Sequence, residues 1–181
     1  MQWSTFTGHM PVFFFSFHAY RSWMPDHRRG YTQRGKGYLP TDPEKARAFE
    51  ERAKHDKTVF TDDIVRAMIE EPIESCSKID CRLHGAGSDE THLHGLVSWK
   101  YQRGWMSVRK SLKTSLTKRL KQIEAEHVAF SRGGSRKQVR ERRHFDHLME
   151  TYLPGHRGWA WYEDRAWVYQ RGQTRKRRRS Q

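Results

Sequence analysis

Cysteine is scarce: Cys76 and Cys81 are the two in 181 residues. Two thiols cannot build the disulfide framework that holds small secreted domains together. No segment has the charged, apolar and small-residue order of a cleaved leader. The longest apolar run, Pro11 to Phe17, is far too short to span a bilayer. The expectation is therefore an intracellular, cytoplasmic protein with no membrane partner. Apolar material is also thin, since hydrophobic residues make up 35% and charged ones 31%. Much of the surface must be ionic, and the core must lean on seven Trp and nine Phe. That aromatic content excludes a wholly disordered basic chain, because disordered chains are poor in aromatics. The length suits one domain, expected over residues 1–170, and leaves no room for two.

Positive charge is what the chain has in excess, a formal +14 with a pI near 10.1. Such a charge repels itself in a compact state unless a polyanion neutralises it, so nucleic acid is the natural partner. Five of the cations form the run Arg175 to Arg179, in a basic tail (171–181) expected to be disordered and indifferent to sequence. Without that run about +9 remains, so the folded part is basic too. Charge by itself does not separate a DNA enzyme from a ribosome-type basic protein.

Hydrophobic periodicity supplies the elements. Val12 to Phe17 reads as a buried strand, followed by a long basic connection from Asp26 to Pro43. Asp42-Pro43-Glu44 opens a helix to about Lys54, and Thr61 is placed to cap a second with Ile64, Val65, Met68 and Ile69 on its apolar stripe. Cys81 to Ala86 and His92 to Trp99 read as strands around a Gly87 to Glu90 turn. A long basic helix, roughly Ser107 to Glu126, has Val108, Leu112, Leu116, Leu120 and Ile123 on its inner stripe. Ser131 to Arg136 reads as a flexible loop. Arg142 to Leu153 reads as a helix ended by Pro154-Gly155, with Phe145, Leu148, Met149 and Tyr152 inward. Trp159 to Tyr169 reads as an aromatic hairpin. The layout is α+β, helices packed on a mainly antiparallel sheet.

Within that layout His92-Leu93-His94 is the sharpest local signal. On a strand, residues i and i+2 share a face, so two imidazoles converge while Leu93 points the other way. A bare His-x-His more often lines a polar sheet face than binds a metal. A rival zinc set of Cys76, Cys81, His92 and His94 lacks the usual ligand spacing. Tyr152 and His156, four apart, would share a face if the turn between them stayed helical; spacing alone equally fits a core tyrosine followed by a loop histidine. Together these residues are the parts of one machine: a metal held by histidines to polarise a phosphate, and a tyrosine to attack it. Trp23 could stack on a base or pack its loop, packing being the commoner fate of Trp.

The combination HLHGLVSW after CRLHGAG resembles the His-hydrophobe-His (HUH) motif of single-tyrosine transposases. VFFFSFHAYRSWMPDHRRGY resembles the opening of REP-associated and IS200-like insertion-sequence transposases, and SRGGSRKQV followed by LMETYLPGH resembles their Gly-Gly-Ser loop and nucleophile helix. The resemblance covers roughly residues 12–158. It implies a ferredoxin-like sheet of the HUH endonuclease type, with His92, His94 and His156 holding Mg²⁺ or Mn²⁺ and Tyr152 as nucleophile. It implies cutting of single-stranded DNA next to a hairpin, through a 5′-phosphotyrosine and a free 3′-hydroxyl, by a nucleoid-associated protein. Monomers and homodimers that exchange the tyrosine helix both occur in that family. Arg109 and Lys113 on the long helix, with Arg132, Arg136 and Lys137 beside the glycines, are the expected DNA contacts. Three features depart from the pattern: Glu90-Thr91 stands where many relatives have Pro-Asn, Pro154 interrupts the tyrosine segment, and Trp99 and the aromatic hairpin match no motif. The competing readings are a binding protein that keeps the fold without cutting, and a replication-initiator nickase of the same superfamily.

Overall fold

A computed structural model describes residues 10–33, 35–100, 102–123 and 129–170. The basic tail and the last turn expected of the long helix lie outside the described residues. In chain order the elements are β1 (Val12–His18), β2 (Tyr31–Gln33), β3 (Gly37–Leu39), α1 (Pro43–Glu51), α2 (Asp62–Lys78), β4 (Cys81–Ser88), β5 (His92–Trp99), α3 (Trp105–Ile123), β6 (Ser135–Val139), α4 (Arg142–His147), β7 (Gly158–Tyr162) and β8 (Arg165–Gln170).

Among the described residues the main sheet has six strands in the order β6-β1-β5-β4-β7-β8, every pair antiparallel. Taken alone, β1-α2-β4-β5-α3-β6 is a βαββαβ unit whose strands lie in the spatial order 4-1-3-2, the ferredoxin-like arrangement. The aromatic hairpin β7–β8 then extends the sheet beyond β4. β1 and β5 are interior strands, flanked on both sides, which explains why both are buried along nearly their whole length.

Alternation along these strands divides the protein into two faces. On one, Phe13, Phe15, Phe17, Leu93 and Val97 meet α2 and α3, whose Ile64, Met68, Ile69, Val108, Leu112 and Leu116 are almost fully buried. This is the main core. On the other, Val12, Phe14 and Leu96 form a smaller cluster with Leu148 and Leu153 from the segment after α4.

Several expectations need correction. The segment read as a flexible loop from Ser131 to Arg136 ends in an edge strand, because Ser135 to Val139 pairs with β1. Its charged, mostly exposed side chains carry no apolar alternation, so periodicity could not reveal it. The long connection from Asp26 holds the small hairpin β2–β3. Thr61 stands at the start of α2 but its hydroxyl makes no capping bond, whereas Asp42 does cap α1 by accepting from the Lys45 amide. α1 stops at Glu51, short of Lys54. Ile123, expected on the inner stripe, is exposed at the end of α3. α2 runs on through Pro72, a lost backbone bond tolerated because that helix buries so much apolar surface.

Candidate active site

Strand geometry gathers the site on the smaller face. In β5, Leu93 and Val97 enter the main core, so His92, His94 and Ser98 point to the opposite side. β1 lies beside it in antiparallel register, placing Ser16 opposite His94 and His18 opposite His92. Ser16 Oγ is 2.6 Å from His94 Nδ1, and the His18 ring lies 5.6 Å from that of His92. Phe14 stacks on His94 at 4.9 Å and closes its inner side.

The tyrosine segment is seated against these strands by two absent side chains. A Cβ at Gly87, the residue paired with His94, would lie 3.2 Å from Leu153 Cδ2; one at Gly85 would lie 3.0 Å from Met149 Sδ. Their absence lets Leu153 settle onto the sheet fully buried. The chain from α4 does not stop at Leu153 as expected. It widens into one π turn, Leu148–Tyr152, and then tightens into a 3₁₀ turn, Leu153–Gly155, with Pro154 inside the first turn where no amide is needed. Tyr152, read as an inward residue, is instead 39% exposed. Its ring lies 5.4 Å from His94, 4.7 Å from His156 and 5.4 Å from Phe14.

The histidines are held so that one nitrogen of each remains free. His156 Nδ1 donates to the Tyr152 carbonyl at 2.9 Å, which leaves Nε2 with its lone pair. His92 Nδ1 donates to Asp89 Oδ1 at 3.0 Å and to Thr91 Oγ1 at 2.7 Å, while the Thr91 hydroxyl itself donates to Asp89. His94 uses Nδ1 on Ser16, and its Nε2 is buried with no hydrogen-bond partner. A ligand atom from each ring falls within 4.8 Å of the others. A buried nitrogen without a partner, between two more with free lone pairs, fits a cation and little else.

Electrostatics point the same way. Burial, then the neighbouring His92, His156 and His18, hold His94 well below the ordinary imidazole range. Burial and then His92 lower His156 as well, and His18 falls to about 4 for the same two reasons. These rings are therefore neutral near pH 7, the protonation state a metal requires. Burial opposes ionisation of Asp89, but its hydrogen bonds and charge contact with His92, and those from Thr91, outweigh that and hold it ionised. Tyr152 is raised by burial and by the Asp89 anion, partly offset by Arg29.

Reading the sequence missed three contributors: Asp89, Ser16 and His18. Asp89 was hidden because only the turn between β4 and β5 brings it back to the His92 ring; the neighbouring Glu90 is exposed and offers its backbone carbonyl to the Phe60 amide. Ser16 and His18 do follow β1 alternation, but only register places them opposite the histidines. The rival zinc set does not assemble, since Cys76 is buried in the main core on the other face. His84 is buried in a bulge of β4, with Nε2 2.8 Å from Ser98 Oγ and Nδ1 3.6 Å from Glu163. Ser98 is fully buried, so this serine, histidine and glutamate bridge elements and offer no nucleophile to a substrate.

The expected DNA contacts separate. Lys137 pairs with Phe14 and shares the histidine face, whereas Arg136 pairs with Phe15 and stacks over Trp105 at 3.7 Å on the helix face. Arg109 and Lys113 belong to that second group. Lys113 Nζ is engaged by the Ser131 and Arg132 carbonyls, and Arg109 Nε and Nη2 are buried with no hydrogen-bond partner. A groove of about 640 Å³ runs along this part of α3, lined by Trp105, Met106, two threonines, Arg109 and four lysines, with no acidic residue.

No protein-family profile matches the chain, and no curated protein does. Among solved structures it is similar to a protein of Deinococcus radiodurans R1 described as a transposase, at 12% identity over 84% of this chain and 95% of that one, with a TM-score of 0.47. It is also similar to a REP-associated tyrosine transposase bound to a REP hairpin, at 8% identity over 86% of this chain and 70% of that one, with a TM-score of 0.41.

Proposed function

We propose that the protein is a metal-dependent endonuclease and strand-transferase of the HUH transposase kind, acting on single-stranded DNA beside a hairpin. The observation that carries this reading is the meeting of His92, His94 and His156, whose ligand atoms lie within 4.8 Å of one another, with the Tyr152 ring, 5.4 Å from that of His94 and 4.7 Å from that of His156. His92, His94 and His156 would hold the cation, and of Mg²⁺ and Mn²⁺ the latter accepts nitrogen donors more readily. A divalent ion there supplies Lewis-acid polarisation of the scissile phosphate.

The chain's own residues would do the rest. Asp89 and Ser16 fix the orientation of His92 and His94, and the Tyr152 carbonyl fixes that of His156. Tyr152 Oη attacks phosphorus, the bond from phosphorus to the 3′ oxygen breaks, and a 5′-phosphotyrosine forms while the phenolic proton ends on the released 3′-hydroxyl. Reversal by another 3′-hydroxyl rejoins strands. Arg109, Lys113, Arg132, Arg136 and Lys137 would take phosphates away from the centre, and the groove along α3, whose charged residues are all cations, favours that use for Arg109 and Lys113.

The test is a denaturing gel of the protein with labelled hairpin oligonucleotides carrying single-stranded flanks, with and without Mn²⁺. A metal-dependent covalent adduct, absent in Tyr152→Phe, is expected. Tight binding with no adduct on a broad hairpin set would leave a binding protein that keeps the fold without cutting. Adducts confined to plasmid or viral origin sequences would favour the replication-initiator reading.

A further inference from the structure

The loop after β1 carries a tryptophan that the site described above does not use. Trp23 is 45% exposed, an unusual state for the largest apolar side chain. It is nevertheless held in place. Its Nε1 donates to the Gly30 carbonyl at 3.1 Å, and one ring face lies on His27 at 3.9 Å, nearly parallel. His27 is fixed in turn by accepting the Arg29 amide on Nδ1 at 3.1 Å. The exposure therefore belongs to the part of the indole that His27 leaves uncovered.

Its position is as informative as its exposure. The Trp23 ring is 6.3 Å from His18, whose ring is 5.6 Å from His92, so the indole stands one ring beyond the histidine cluster. Arg28 and Arg29 follow on the same loop, both exposed, and the Arg29 guanidinium is near enough to act electrostatically on Tyr152. A flat aromatic surface of fixed orientation beside two cations matches the repeat of single-stranded nucleic acid, a π face alternating with a phosphate. A tryptophan that merely packed its loop would cover this face.

We propose that Trp23, backed by His27, is the stacking platform for an unpaired nucleobase next to the scissile phosphate, with Arg28 and Arg29 taking the adjoining phosphates. The proposal rests on the reading of the histidine centre as a single-stranded DNA site. It adds a subsite that selects for an unpaired base at one defined position in the flank.

The experiment is an abasic scan. Hairpin oligonucleotides with each flank nucleotide in turn replaced by an abasic unit are titrated, with Mn²⁺, against the full chain bearing Tyr152→Phe so that no cleavage intervenes. One position is expected to weaken binding about tenfold, the size of one base–aromatic stack. Adding Trp23→Ala should weaken binding of the intact oligonucleotide by a similar factor and abolish the abasic penalty at that position alone. Trp23→Phe should restore part of it. The slope of log affinity against log salt should stay unchanged for Trp23→Ala and become shallower for Arg28→Ala, because stacking releases no counterions. A flat scan, or an abasic penalty that persists in Trp23→Ala, overturns the platform while leaving the tyrosine mechanism standing. Failure of the protein with native Tyr152 to bind or form an adduct with any hairpin oligonucleotide overturns both.

Discussion

The two faces of the sheet are built from alternate residues of the same strands, yet they differ in nearly everything else. The face under α2 and α3 is closed by two long helices and filled with aliphatic and aromatic side chains. The opposite face is covered by a short helix that changes to a π turn and then to a 3₁₀ turn, and it retains His92, His94, His18 and Tyr152 at a half-open edge. One face spends its residues on burial, so its polar groups are few. The other keeps the buried, unpartnered His94 Nε2 beside ring nitrogens of His92 and His156, an arrangement that suits a bound cation. Site and scaffold are thus separated by the strand period of two rather than by distance along the chain.

The sharpest way to break that contrast is to exchange the damage. His92→Ala with His94→Ala should eliminate metal-dependent adduct formation and Mn²⁺ binding by calorimetry while leaving the melting transition nearly intact. Leu116→Ala on the closed face should do the reverse, costing roughly 2–5 kcal/mol of stability with the activity of the folded fraction preserved. If the histidine pair could be removed without loss of cleavage, the metal site would be lost as an explanation.

A subtler change attacks the seam between the two faces. Gly87→Val places side-chain atoms where Leu153 sits, and overpacking of this kind costs about 1–3 kcal/mol. Because Leu153 lies between Tyr152 and His156, cleavage should fall by more than the stability loss explains, and Mn²⁺ affinity should fall with it as His156 is displaced. Cleavage that falls no further than the folded fraction would mean that the glycine does not position the tyrosine.

Acid should reveal the structural histidine of the site face. Burial, then Arg82, lowers His84 to about 4 despite the opposing Glu163 carboxylate. From pH 6.5 down to about 4 the unfolded chain therefore binds a proton that the folded chain does not, so stability present above pH 6.5 is lost as pH falls through that window. His84→Gln should flatten the decline by something on the order of 2 kcal/mol, read from urea melts across pH. An unchanged decline would assign acid sensitivity to other groups.

The smallest effects are expected from single cations. Arg109→Ala and Lys137→Ala, on opposite faces, should each weaken hairpin binding a few-fold and reduce the salt slope by about 1. If only Lys137→Ala acts, DNA is confined to the histidine face and the groove along α3 serves another purpose.

Much of the arrangement was legible in the residues. Period-two alternation placed His92 and His94 on one side of a strand, and period-3.6 stripes located α2 and α3 with Val108, Leu112, Leu116 and Leu120 inward. The resemblance to HUH transposases singled out Tyr152 and His156. Illegible were β6, whose exposed charged residues pair only because β1 presents a free edge, and the hairpin β2–β3. Asp89 was illegible because its role depends on how a short turn returns to the His92 imidazole.

Sequence by itself determined composition, charge, the core stripes and which residue types were available for chemistry, because these follow from local periods and from side-chain character. Only the tertiary structure decided that Ser16 and His18 stand opposite the histidines, that Gly85 and Gly87 admit the Tyr152 segment, and that Arg136 and Lys137 part company. Each depends on strand pairing or on contact between segments remote in the chain, and a register shift of one residue in β1 would take Ser16 and His18 away from the histidines.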